Sequence, residues 1–356
     1  MSLAFQAFPP ARLPPHAGCI MSAEGKASPK GGNESEYLRQ MNLVKRGSFL
    51  SAAKVRQLEG QVAQNPEDFD SRIMLLGAYF LLLDAPSRHA RYKHVLWIIE
   101  HRPDSPIAGT PYAHIDPVRD GEERFETGKR LWKRQIRQNA LDVAVLSNAA
   151  DFFTIYREEI ARKYLEKCIQ LDPANCKWPH SLGLIYLRDC REGTQDGNAL
   201  LALRYLEEAM KLASRQEERD SILNYAAEAA FNSGNYEKAR DYAAEELQKA
   251  GHRSYWNYGN AVHNGNAMLG RVALKEGDIV KAKEYLLAAG DTPGSPQLNS
   301  FGPDMSLAND LLKQGEKETV ITYLTSCCRF WKKPVLEGWI AKILSGRTPV
   351  LDRFRQ

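Results

Sequence analysis

Apolar and small residues recur along most of this chain at intervals of three and four, the spacing that sets them on one face of an α-helix. In residues 266–296, NAMLGRVALKEGDIVKAKEYLLAAGDTPGSP, the set Met268, Leu269, Val272 and Ala273 is followed by Ile279, Ala282, Tyr285, Leu286 and Ala289. Two amphipathic helices are predicted, parted at Gly277-Asp278. A glycine there can end the first helix in a left-handed conformation, and the aspartate can cap the second. So short a link allows only an antiparallel hairpin. The Gly/Pro cluster at 290–296 then stops the second helix.

The same placement of small residues recurs. Leu269-Gly270-x-x-Ala273 with Ala282-x-x-x-Leu286-x-x-Ala289 is matched by Asn148-Ala149-x-x-Phe152 with Ala161-x-x-x-Leu165-x-x-Cys168, closed by Asp172-Pro173. Leu182-Gly183-x-x-Tyr186 leads, past an expansion around CREGTQDG, to Ala202-x-x-x-Leu206-x-x-Ala209. Ala226-Ala227-x-x-Ala230 precedes Ala239-x-x-x-Ala243, although Glu246 falls where a small residue is expected. Leu307-Ala308-x-x-Leu311 with Val320-x-x-x-Leu324-x-x-Cys327 completes five units over 139–332. This spacing resembles the tetratricopeptide repeat (TPR), a helix-turn-helix of about 34 residues. The resemblance implies an all-α fold, a right-handed α-α superhelix or TPR-like solenoid, with small residues where paired helices approach.

Successive alanines at 161, 202, 239 and 282 lie 37 to 43 residues apart, so insertions at 190–198, 250–262 and 290–303 decorate the repeats. Upstream, 41–138 reads as a degenerate TPR-like region: Leu76-Gly77-x-x-Phe80 fits, then Pro103–Pro117 interrupts as a Pro/Gly-rich loop. Residues 333–346, with Trp339, Ile340 and Ile343, form a capping helix that shields the open end of a stacked core. A basic tail follows at 347–356. Residues 1–40 read as a disordered, low-complexity leader, rich in Pro, Gly, Ser and Ala, with a second candidate start at Met21.

Composition narrows the function classes. Apolar content of 43% and charged content of 26% are those of a folded globular chain. No apolar run approaches the roughly 18 residues of a membrane span, Ile73–Leu83 being broken by polar flanks. The net charge is +4, of which the first 50 residues contribute +3, so the rest is nearly neutral. A phosphate-reading protein needs a basic stripe, and only the modest tail Arg347–Arg355 was found to suggest one, which argues against a nucleic-acid partner. The six cysteines form no CxxC pair and fit reduced thiols of a cytoplasmic protein. Ala17-Gly18-Cys19 offers the alternative of export or lipid anchoring, without the preceding apolar stretch that a signal needs.

No HExxH, GxSxG or GxxxxGK[ST] motif is present, Gly128-Lys129 lacking its upstream glycine. Accordingly no catalytic residue, no cofactor and no metal ligand is assigned; His94 and His101, seven apart beside Glu100, lack a further ligand at motif spacing. The segment GHRSYWNYGNAVHNGN, 251–266, offers Tyr255, Trp256, Tyr258 and His263 among several asparagines. These suit a ligand loop, or a loop that lies across the repeats and fills apolar space, since loop aromatics commonly anchor the loop itself.

By the family resemblance, the groove is lined from the first helix of each repeat. That implies Lys177 and His180, Asn224 and Glu228, Asn264 and Arg271, and Met305 and Asn309. Arg271 with Asn264 and Asn309 could hold a carboxylate, while Glu228 would oppose an acidic ligand. The expected function is a non-catalytic scaffold gripping a peptide or protein segment. The alternative is a regulatory sensor or enzyme with a small-ligand pocket near 251–266.

Overall fold

Side chains able to accept a backbone N–H stand where the chain enters many of its helices. Ser51, Asp68, Asp84, Asn235 and Asp278 each accept from the amide three residues on, satisfying donors that the helix itself leaves unpaired. The computed structural model describes residues 32–191, 198–252 and 255–352. Among them are seventeen α-helices and no strand, as the all-α expectation required. The chain parts into two compact units between Trp178 and Pro179.

The N-terminal unit holds α1 (Gly32–Gly47), α2 (Ala52–Gln64), α3 (Phe69–Tyr79), α4 (Ala85–His101), α5 (Glu122–Gln138), α6 (Val143–Phe153) and α7 (Glu158–Leu171). Helices α1, α2 and α4 all pack on α3, and from α4 to α7 each helix packs on its successor. Gly77 is needed because α1 crosses there: a Cβ would stand 2.1 Å from the Val44 carbonyl oxygen.

Ordered helix begins at Gly32, inside the segment assigned to the leader. It does so because Gln40 is buried, donating to Ser105 Oγ at 2.8 Å and accepting from the Ile107 amide at 2.8 Å. The Pro/Gly-rich Pro103–Pro117 loop is packed into the unit. Two short 3-10 turns, Pro106–Gly109 and Pro111–Ala113, carry Ile107, Ala108, Ala113 and Ile115 into the core. Asn148, part of the repeat pattern, is spent holding this stretch, its amide donating to the Pro103 and Ser105 carbonyls at 2.9 Å each.

Helix α8 (Lys177–Arg191) contains the boundary. Beyond it the C-terminal unit comprises α9 (Asn198–Leu212), α10 (Gln216–Asn232), α11 (Tyr236–Lys249), α12 (Tyr258–Lys275), α13 (Ile279–Gly290), α14 (Pro296–Phe301), α15 (Ser306–Lys313), α16 (Lys317–Cys327) and α17 (Pro334–Leu344). The hairpins α10/α11, α12/α13 and α15/α16 turn at Gly234, Gly277 and Gly315, with φ of +79°, +84° and +91°. Neighbouring hairpins stack: α10 touches α12, α12 touches α15, and α13 touches α16. This is the arrangement of an all-α helical repeat. At the crowded contact a Cβ on Gly270 would lie 2.3 Å from Leu307 Cδ2, so the small residue there serves packing.

Helix α17 buries Leu336, Trp339 and Ile343 and packs on α16. The segment after it is not a free basic tail: Leu351 is buried in the same core. No helix among the described residues is long and apolar enough to cross a membrane. Residues 1–31, with Cys19 and Met21, lie outside the described residues, as do 192–197 of the CREGTQDG expansion, Arg253 and Ser254, and 353–356. Five cysteines among the described residues are free thiols.

Candidate functional site

The groove residues expected from the repeat pattern fall into three groups. Met305 is buried in the core around α15, α16 and α17, so it lines no groove. Asn309 is taken by the chain's own end: its amide nitrogen donates to the Leu351 carbonyl at 2.9 Å and its oxygen accepts from the Leu351 amide at 2.8 Å. That two-point clip removes Asn309 from the proposed carboxylate site. Lys177, in the N-terminal unit, donates to the buried Ser147 hydroxyl at 3.0 Å and lies 5.0 Å from the Trp178 ring. Its charge also acts on Asp151, whose pKa burial nonetheless raises to about 6.

In the C-terminal unit His180, Asn224, Glu228, Asn264 and Arg271 are all partly exposed. The His180 ring lies 6.0 Å from that of Tyr225. The Arg271 guanidinium stands 4.1 Å from the centre of the Phe231 ring, and its Nε has no hydrogen-bond partner. Asn264 donates to Glu246 of α11, so it is a half-committed groove residue.

Glu246 is the residue that broke the small-residue pattern, and it is 2% exposed. Removal from water raises its pKa to about 8; the Asn264 bond opposes this and the charge of Asp220 adds to it. Its Oε1 has no partner. Asp220, also buried, is better supplied, accepting from Gln216 at 2.7 Å, from the Tyr255 hydroxyl at 3.1 Å and from Lys249.

The aromatic segment is occupied by the protein itself. Tyr258 begins α12, Tyr255 is spent on Asp220, and Trp256 is 45% exposed. His263 is fully buried. Its Nε2 accepts from the Asp304 amide at 3.0 Å, which makes Nδ1 the donor to the Ala289 carbonyl at 3.1 Å. One nitrogen holds the last turn of α13 and the other the end of the 290–304 connection, so His263 acts as a structural pin. Asn260 acts likewise: it donates to Asn257 at 2.7 Å and to Gln297 at 3.2 Å and accepts from Ser295 at 2.5 Å. Thr292 donates to the Gly259 carbonyl at 2.9 Å. Gly259 itself lies against Gly294, whose carbonyl oxygen a Cβ would meet at 1.9 Å.

His94 and His101 do not converge. His94 joins Glu59 at 3.1 Å and Arg72 at 3.3 Å, while His101 stacks on Trp97 with centroids 4.6 Å apart and Glu100 pairs with Arg134. No metal-ligand cluster occurs among the described residues.

Two features escaped the sequence reading. The Glu246–Asp220 cluster was signalled only by Glu246 breaking the repeat pattern. A basic surface on α5 was signalled by Lys129, Arg130, Lys133, Arg134 and Arg137 within nine residues, which a near-neutral total charge concealed. Compared with known proteins, the chain matches no family model and no curated protein.

Proposed function

We propose that the chain is a non-catalytic interaction scaffold of the TPR type, holding a peptide or protein segment against the first helices of its C-terminal hairpins. The observation that carries this reading is Arg271. It is a half-buried cation stacked on Phe231, with no ion pair among the described residues. A guanidinium fixed in direction on an aromatic ring and charged at every physiological pH is suited to a carboxylate or backbone carbonyl of a partner. Asn224, partly exposed on α10, supplies a further polar contact. The free thiols, Cys168 and Cys327 being held protonated by burial with pKa values raised to about 12, support a reducing, cytoplasmic setting as part of the same reading.

A benzophenone crosslinker placed at Asn224 tests the proposal. Partner fragments that crosslink from position 224 and are lost on Arg271→Gln support it. Crosslinks unchanged by that substitution would overturn it.

A further inference from the structure

The N-terminal unit has an open groove of about 370 Å³ between α5, α6 and α7. Its floor is apolar, made by Ile136, Ala140, Leu146 and Tyr164, and its rims carry Lys133 and Arg137 from α5 and Lys163 and Lys167 from α7, with no carboxylate among the lining residues. Three of the five other cations on these helices are paired, while Arg130 donates to the Thr127 hydroxyl and Arg124 lies over the Tyr92 ring. Lys129 pairs with Glu126 at 2.6 Å, Arg162 with Glu158 at 3.2 Å, and Arg134 with Glu100. None of the four rim cations forms an ion pair among the described residues.

Their spacing sharpens the contrast. Lys133 and Arg137 are four apart on one helix, and Lys163 and Lys167 are four apart on another. Like charges at that spacing repel and subtract from helix stability. Two such pairs facing each other over an apolar floor work against the fold, and a bound anion would relieve the repulsion. We propose that this groove binds an acidic peptide segment of a partner protein, with one apolar side chain seated on Ile136, Leu146 and Tyr164 and flanking carboxylates on the two rims. Charge complementarity selects the acidic class, and the apolar floor selects a peptide over a polyphosphate, which brings no side chain to bury there. The groove uses none of the residues assigned to the C-terminal hairpins, so it stands independently of the function proposed above.

Fluorescence anisotropy with a labelled short peptide of Asp and Glu around one central Leu tests the assignment. A second peptide carries Ser in place of the Leu. At low salt the Leu peptide should bind, with affinity falling as salt screens the rims. Lys133→Glu/Lys163→Glu should weaken it by about tenfold or more, and the Ser peptide should bind less well to the wild type. Arg271→Gln should leave this affinity unchanged. Because Glu at 133 would face Arg137 four residues on, the double variant should melt no lower than the wild type; if it does melt lower, Lys133→Gln/Lys163→Gln gives the same reading of binding. No binding at low salt, equal binding of both peptides, or affinity retained in the charge variants would overturn the proposal. So would oligouridine or phosphatidylserine vesicles binding through the same lysines more tightly than the peptide.

Discussion

Residues 103–117 and 290–304 both interrupt the succession of helices, and each is folded into its own unit by different means. The first brings Ile107, Ala108, Ala113 and Ile115 into the core at 0–2% exposure, with Gln40 and Asn148 bonding its backbone. The second buries Leu298 and Pro303 and is held by hydrogen bonds of His263, Asn260 and Thr292. Apolar burial is non-directional and tolerates small shifts, whereas the hydrogen bonds of 290–304 require one register. The N-terminal insertion should therefore fail by losing packing, and the C-terminal one by losing alignment.

Ile107→Ala is the largest break, expected to cost about 2–5 kcal/mol through the cavity it leaves. Peptide-resolved hydrogen exchange should rise across α1, α6 and 103–117 together. Faster exchange confined to the substituted turn would show that the insertion is not part of the core.

His263→Phe keeps the ring but strands the Ala289 carbonyl and the Asp304 amide, at about 1–3 kcal/mol. Faster exchange should appear in 290–304 and at the start of α15 and nowhere in the N-terminal unit. No change in exchange there would contradict the role of His263 as a pin.

Glu246→Gln sharpens the comparison through pH, because the polar interior of the C-terminal unit contains a titrating group. Burial keeps Glu246 protonated to about pH 8, while an unfolded glutamate ionises near 4.5. Between these values the unfolded chain gains by releasing its proton, so stability falls as pH rises and levels off above about 8. Glu246→Gln should remove this slope, raising the Tm at about pH 8.5 and changing it little at about pH 5. Parallel Tm profiles for the two proteins would contradict the raised pKa.

The smallest effect is expected of Thr292→Val, which removes the hydrogen bond donated to the Gly259 carbonyl and the one accepted from the Gly294 amide, and should cost about 1–2 kcal/mol. Urea unfolding should show it as a lower midpoint at unchanged slope.

The hairpins were legible because their cause is local. Helical periodicity, turn glycines such as Gly277 and small residues such as Gly270 act within a few residues or on the next helix. Side-chain assignments were less legible because each depends on a partner remote in the chain: Asn309 on Leu351, His263 on Asp304, Asn148 on Pro103. Nothing in an asparagine at a repeat position distinguishes a groove residue from a clip. Net charge misled for a related reason, since it sums over the chain while a field in salt water is felt within about 8 Å. The run Lys129–Arg137 was therefore visible in the sequence yet averaged away.

Because His263 and Asn260 on α12 bond to the connection that follows α13, the segment from Tyr258 to Lys313 is tied into one piece. Repeat arrays evolve and are engineered by copying or deleting single hairpins, which works when each touches only its neighbours. Here the α12/α13 hairpin cannot be duplicated or swapped alone without stranding the groups that bind its strap. The smallest transferable cassette runs through α15, whereas the exposed turn at Gly234 remains the natural seam for grafting new sequence.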